Sequence, residues 1–154
     1  MWLVPFLLGA CAVESESDRP FVARFQNRSD GWTVGVEPHG PTPGTRIAWR
    51  APDGRSGTID DGHSPDRPAL DPERGLLAYV SGAPDGIAAI WVQRLDDGRR
   101  VQVTNVGLKR KKGGPPDGFV AVPHGDTLEF HGGKLRWTAP DGPHEVAVPT
   151  EVSP

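Results

Sequence analysis

The sequence predicts an all-β chain built from three repeated units of antiparallel strands, and three observations predict it. Gly31, Gly75 and Gly118 each open a short apolar run and stand 44 and 43 residues apart, while Trp49, Trp91 and Trp137 follow at intervals of 42 and 46. The runs also align by residue type: Asp30-Gly31-Trp32-Thr33-Val34-Gly35-Val36 with Arg74-Gly75-Leu76-Leu77-Ala78-Tyr79-Val80 and Asp117-Gly118-Phe119-Val120-Ala121-Val122. Finally, 20 glycines and 17 prolines punctuate regularly spaced Val, Ile, Leu, Phe and Trp runs, the pattern of short strands joined by tight turns.

Met1–Ala10 is almost wholly apolar and leads into Cys11, ahead of the polar, acidic stretch Ala12–Pro20. Such an apolar run is too short to span a bilayer as a helix, and the acidic stretch has the composition of a flexible spacer. Residues 1–11 therefore read as a leader, 12–20 as a tether, 21–149 as the β-repeat domain and 150–154 as a frayed tail.

In the first unit, strands are expected at Phe21–Phe25, Trp32–Val36, Arg46–Trp49 and Ser56–Ile59. Two-residue alternation places Trp32, Val34 and Val36 on one face, and Asp53-Gly54 turns the chain before the last strand. In the second, Pro68–Asp71 and Leu76–Ser81 flank a four-residue turn. Ala88–Leu95 follows, and Asp96-Asp97-Gly98 returns the chain along Val101–Asn105. The third begins after the basic loop Lys109–Gly114, with strands expected at Phe119–Val122, Thr127–Phe130, Lys134–Trp137 and Glu145–Val148. None of these pieces is stable alone, so sheets of about four strands must stack on neighbours.

Repeats of this length built from short strands are the mark of propeller blades. The second unit resembles the TolB-type propeller repeat through Pro68, Asp71, Pro72, Gly75, Leu77, Ala78, Val80, Ser81, Ile90, Trp91, Val92, Leu95, Asp97, Gly98, Val103, Thr104 and Asn105. The other two units match less closely, and Glu73-Arg74 replaces the usual aspartate before the glycine. The resemblance implies a propeller-blade-like unit used in protein–protein interaction at the cell envelope. Only three units are present, whereas propellers typically close with four to eight blades. A compact three-unit β domain is the favoured expectation. A homodimer closing a six-bladed ring, a propeller remnant and a sandwich-like or partial-barrel fold are the alternatives.

Leu8-Gly9-Ala10-Cys11 resembles the bacterial lipoprotein box, in which a leucine and two small residues precede the cysteine that becomes lipidated. The resemblance implies a lipid on Cys11 and a place at the bacterial cell envelope, facing the periplasm or the exterior. More than one acyl chain makes such anchoring stable. No Lys or Arg precedes the apolar run, a departure from the positive start of a secretory signal.

A formal net charge of −3 gives no basic surface for nucleic acid. The single cysteine excludes an internal disulfide and any cysteine-clustered zinc site. His39 and His124 both stand in Pro-His-Gly at matching repeat positions, which reads as turn chemistry. His124 and His131, with Asp126 and Glu129 between them, carry metal-ligand chemistry, but strand alternation would scatter them. Asp30, Asp53, Asp61, Asp85, Asp97, Asp117 and Asp141 each precede a glycine, without the density of oxygen ligands that a calcium loop needs. No Gly-x-Ser-x-Gly elbow and no phosphate-cradling loop occurs. Lys109–Lys112 is the one strong charge cluster, suited to anionic headgroups or an acidic partner, or to a solvated loop that blunts an exposed edge. Trp32, Trp49, Trp91 and Trp137 occupy repeat positions and are expected in the core.

The reading is therefore a non-catalytic protein-binding module of the cell envelope, lipid-anchored through Cys11, with no cofactor, no metal and no nucleic acid. Its partner is expected at the loops Asp61–Asp66 and Lys109–Pro116, because loops on a rigid scaffold usually carry recognition. The alternatives are a small periplasmic hydrolase or lyase using His and Asp on the loops, or a truncated propeller remnant. The hydrolase would need two or more of His39, His63, His124, His131 and His144 beside one carboxylate.

Overall fold

The computed structural model describes residues 24–82 and 85–153; the leader, the tether, Cys11 and the start of the first expected strand lie outside them. Eleven strands form three antiparallel sheets and no helix occurs among the described residues, so the three-unit all-β expectation holds. The first sheet runs β1 (Arg24–Asn27), β2 (Thr33–Pro38), β3 (Thr45–Arg50) and β4 (Ser56–Ile59), paired in chain order. The second runs β5 (Asp66–Asp71), β6 (Leu76–Gly82), β7 (Ala88–Arg94) and β8 (Arg100–Gln102) in the same way. The third holds β9 (Glu129–His131), β10 (Lys134–Ala139) and β11 (Gly142–Ala147). Each sheet is a meander of consecutive strands, and none closes into a barrel.

The turns explain this regularity. Asp30, Asp53, Asp61, Asp85 and Asp97 each accept a hydrogen bond from the backbone N–H two residues on, at 2.9–3.2 Å. That carboxylate imitates a backbone turn, and the glycine between takes up the left-handed conformation, as Gly98 does at φ 71°. The expectation that Asp-Gly pairs are turns is met at these five.

The second sheet lies between the other two. In β6, Leu77 and Tyr79 pack with Val34, Val36, Ile47 and Ile59 of the first sheet. Leu76, Ala78 and Val80 pack with Leu128, Leu135 and Trp137 of the third unit. A strand covered on both faces needs an uninterrupted apolar run, and Leu76–Ser81 is buried at every position. Outward faces are polar. Register places Thr33, Glu37, Arg46, Arg50, Ser56 and Thr58 together on the first sheet, and Glu129, His131, Lys134, Arg136, Thr138 and Glu145 together on the third.

Tight packing shows at Gly57, paired with Trp49 across β3 and β4. A Cβ there would lie 2.9 Å from the indole, so the ring has the space only because position 57 lacks a side chain. Gly57→Val is expected to destabilise by about 1–3 kcal/mol through overpacking, read from the urea midpoint. The same substitution beside Trp49→Leu should cost much less; an equal loss in both backgrounds would exclude the steric account.

Three expectations are corrected. Phe119–Val122 is not a strand. Pro115 and Pro116 precede it and Pro123 follows, and its backbone groups bond to side chains instead: Val120 to the Asn105 amide and the Ala121 carbonyl to Trp137 Nε1. The second sheet's last strand ends at Gln102 rather than Asn105: Val103 adds one backbone bond to β7, and at Thr104 and Asn105 side chains take over the pairing. The end of the domain is not frayed: Val152 is fully buried in the core between the second and third units.

Candidate functional site

Strand direction brings four features to one end of the stack. The described chain enters there, since Arg24 opens β1 opposite Val36 near the end of β2. The β2–β3 loop, the β4–β5 loop and the turn between β6 and β7 join it. Cross-braces tie these loops together. Thr45 Oγ1 donates to the Pro65 carbonyl (2.9 Å) and Ser81 Oγ to the His63 carbonyl (3.3 Å), holding the β4–β5 loop against the first and second sheets.

Two carboxylates of that loop face opposite ways. Asp60 Oδ2 lies 2.5 Å from His39 Nε2, whose Nδ1 sits 2.7 Å from Thr42 Oγ1. In the neutral ring, Asp60 selects the tautomer with hydrogen on Nε2, which leaves Nδ1 to accept the Thr42 hydroxyl. A protonated ring donates to both neighbours, so either form ties the loops together. The chain of groups borders a recess of about 200 Å³ that Gly44, Gly62 and Ser64 also line. Ser64 is held at φ 56° and Arg67 at φ 52°, so the chain adopts a conformation that side chains disfavour where the loop ends and just inside β5.

Asp61 points into the stack. Its side chain is 2% exposed, accepts the His63 N–H at 3.0 Å and faces Arg100 at 3.6 Å. The Arg100 guanidinium lies 5.1 Å from the centre of the Trp91 ring, a cation–π distance. Beneath it, the Tyr79 hydroxyl and Trp91 Nε1 are buried without hydrogen-bond partners among the described residues. Burial pushes the Tyr79 pKa up, with the nearby Arg100 charge acting against the rise.

Beyond β8 one backbone bond continues the pairing, and side chains then take over. Val103 N–H donates to the Ile90 carbonyl, Thr104 Oγ1 accepts the Ile90 N–H, and the Asn105 amide donates to the Ala88 carbonyl at 2.9 Å. The same amide then donates to the Val120 carbonyl and accepts its N–H, at 2.9 and 2.7 Å. One side chain thus links the second sheet to the third unit and steers the chain into the basic loop.

His39 is the only histidine lining the recess of Asp60 and Thr42. His124 is exposed and bonds through its backbone to Thr138; His131, Asp126 and Glu129 are exposed too. No cluster of three His, Cys, Asp or Glu residues suited to a metal occurs among the described residues. His144 instead stacks on Trp137, with ring centres 5.2 Å apart, and pairs with Asp141, whose pKa that contact lowers. Trp32 and Trp137 are buried as expected, while Trp49 and Trp91 are only half-buried. Sequence reasoning missed Thr42, Asp60, Arg100 and the double role of Asn105. Asn105 had a signal in the Val-Thr-Asn repeat motif; Asp60 was masked by the Asp61-Gly62 turn beside it.

The chain matches no protein-family model, no curated protein and no solved structure.

Proposed function

We propose that the chain is a non-catalytic protein-binding module, held at a bacterial cell envelope by lipid on Cys11 and built from TolB-like, propeller-type repeats. The observation that carries the binding role is the bracing of the β4–β5 loop. Asp60, Asp61 and the backbone at His63 and Pro65 fix it to four different strands or loops. A recognition loop held this way loses little conformational entropy when a partner docks. The polar outer faces of the first and third sheets favour a self-contained stack over a ring closed by a second copy, because a face awaiting another sheet would be apolar.

The test is photo-crosslinking in cells, with a photoreactive residue placed at His63, whose side chain is exposed, or at Thr58. A discrete protein adduct is expected from the loop and none from the outer face. Adducts from neither would retire the binding surface. In the same cells, a clickable palmitate analogue should label the wild-type chain and not Cys11→Ser; an unlabelled wild type would retire the anchor.

A further inference from the structure

We propose that the loop Val106–Lys112 docks on a bilayer surface rich in anionic phospholipid, and so sets which end of the domain faces the membrane. The inference rests on the lipid-anchor reading for its setting, but its surface chemistry stands on the loop itself.

In a chain of net charge −3, four consecutive cations occur at Lys109, Arg110, Lys111 and Lys112, and all four side chains are exposed. The loop is shaped. Lys111 bridges to Gly114 across a tight turn and pairs with Asp117 at 3.3 Å, while Arg110 donates to the Gly86 carbonyl at 3.0 Å. Lys109 and Lys112 have no ion-pair partner among the described residues. Just ahead of them stands Val106, 65% exposed, the one large hydrophobic side chain among the described residues left out in solvent. An apolar residue beside unpaired ammonium groups is the pairing that an anionic membrane surface rewards: the side chain enters the interface while the charges meet phosphates. An acidic protein would use the charges but gives no reason for the exposed valine.

Position agrees. The Arg110–Gly86 contact places the loop beside the turn between β6 and β7, at the end of the stack where the described chain enters. Cys11 precedes Arg24 by 13 residues, a length that reaches at most about 45 Å. A lipid at Cys11 therefore leaves this end within reach of headgroups, and the loop decides which end turns toward them.

The experiment uses the full chain carrying Cys11→Ser, so that no lipid contributes. It is sedimented with vesicles of phosphatidylcholine alone or of phosphatidylcholine mixed equally with phosphatidylglycerol. The leader is the same in every variant, so the change that a substitution makes in the difference between vesicles is the readout. Binding is expected to be stronger with phosphatidylglycerol and to weaken as salt rises. Lys109→Glu with Lys112→Glu should reduce that difference about tenfold or more. Lys109→Gln with Lys112→Gln and, separately, Val106→Asp should reduce it less. Equal binding to both vesicles, or a preference that survives charge reversal, would overturn the proposal. So would intact vesicle behaviour in a charge-reversed chain that has lost its protein adducts, which would assign the loop to an acidic partner. Lipidation is read separately by palmitate labelling, so failure of the anchor and failure of the loop give different results.

Discussion

Asn105→Ala is expected to cost about 3–5 kcal/mol and to free residues 119–122 from the second sheet. The side chain makes three hydrogen bonds, and all three partners are backbone groups: the Ala88 carbonyl, the Val120 carbonyl and the Val120 N–H. Asn105 is itself buried. A buried backbone group left unpaired costs about 1–3 kcal/mol, and the loss here falls on more than one. Backbone shape adds to it, since Asn105 sits at φ 58°, where asparagine is tolerated better than alanine. Asn105→Gly removes that second penalty and not the first, so it should fall between wild type and Asn105→Ala. Urea unfolding gives the ranking, and hydrogen exchange gives the place: the Val120 amide should lose protection before the amides of β7. If Val120 keeps its protection in Asn105→Ala, the side chain is not what holds the segment.

Ile90→Ala is the second large effect, expected at about 2–5 kcal/mol. Ile90 is fully buried on the face of β7 that meets the third unit, within the cluster that includes Leu135, Trp137 and Val152. Surrounding side chains come from the second and third sheets and from the segments before and after the third, so the cavity cannot collapse fully. Domains of this size commonly have only about 5–15 kcal/mol in total, and the variant should lie near the edge of folding. Ile90→Val, at about 0.5–1.5 kcal/mol, gives the graded point if the alanine variant does not fold. The distribution of the effect matters as much as its size. A middle sheet covered on both faces couples its neighbours, so Trp49 in the first sheet and Trp137 in the third should report one unfolding midpoint. Separate midpoints would show that the sheets unfold independently.

Strands were legible where glycine turns and apolar alternation coincide. Ser56–Ile59 stands where it was read, and Ala88–Leu95 differs by one residue at its end. Phe119–Val122 carries the same apolar signal, but prolines bound it and no neighbouring strand supplies a ladder, and pairing is something periodicity does not report. The site was less legible. Asp60 meets His39 only because β2, β3 and β4 pair in order and bring two loops to one end, so a contact across 21 positions left no local mark. The turn reading of His39 named its loop correctly without revealing either partner. For carboxylates, the local reading sufficed: Asp30 is held below the usual range by Arg28, and Asp53 by the Arg55 N–H and side chain. Those turns are firmest with the carboxylates ionised and loosen as pH falls through their titration.

The meander order has a consequence for biogenesis. Because each sheet is a continuous stretch of chain and packs on the next one made, the direction of synthesis is also the direction of assembly. Hairpins form locally and early, yet the first sheet exposes its apolar face until β6 emerges, and the second exposes the other until β10 arrives. Val152 then enters the same core among the last described residues. A chain arrested after the second sheet would leave that sheet's other apolar face uncovered, with open strand edges beside it, which is the state that chaperones and proteases recognise.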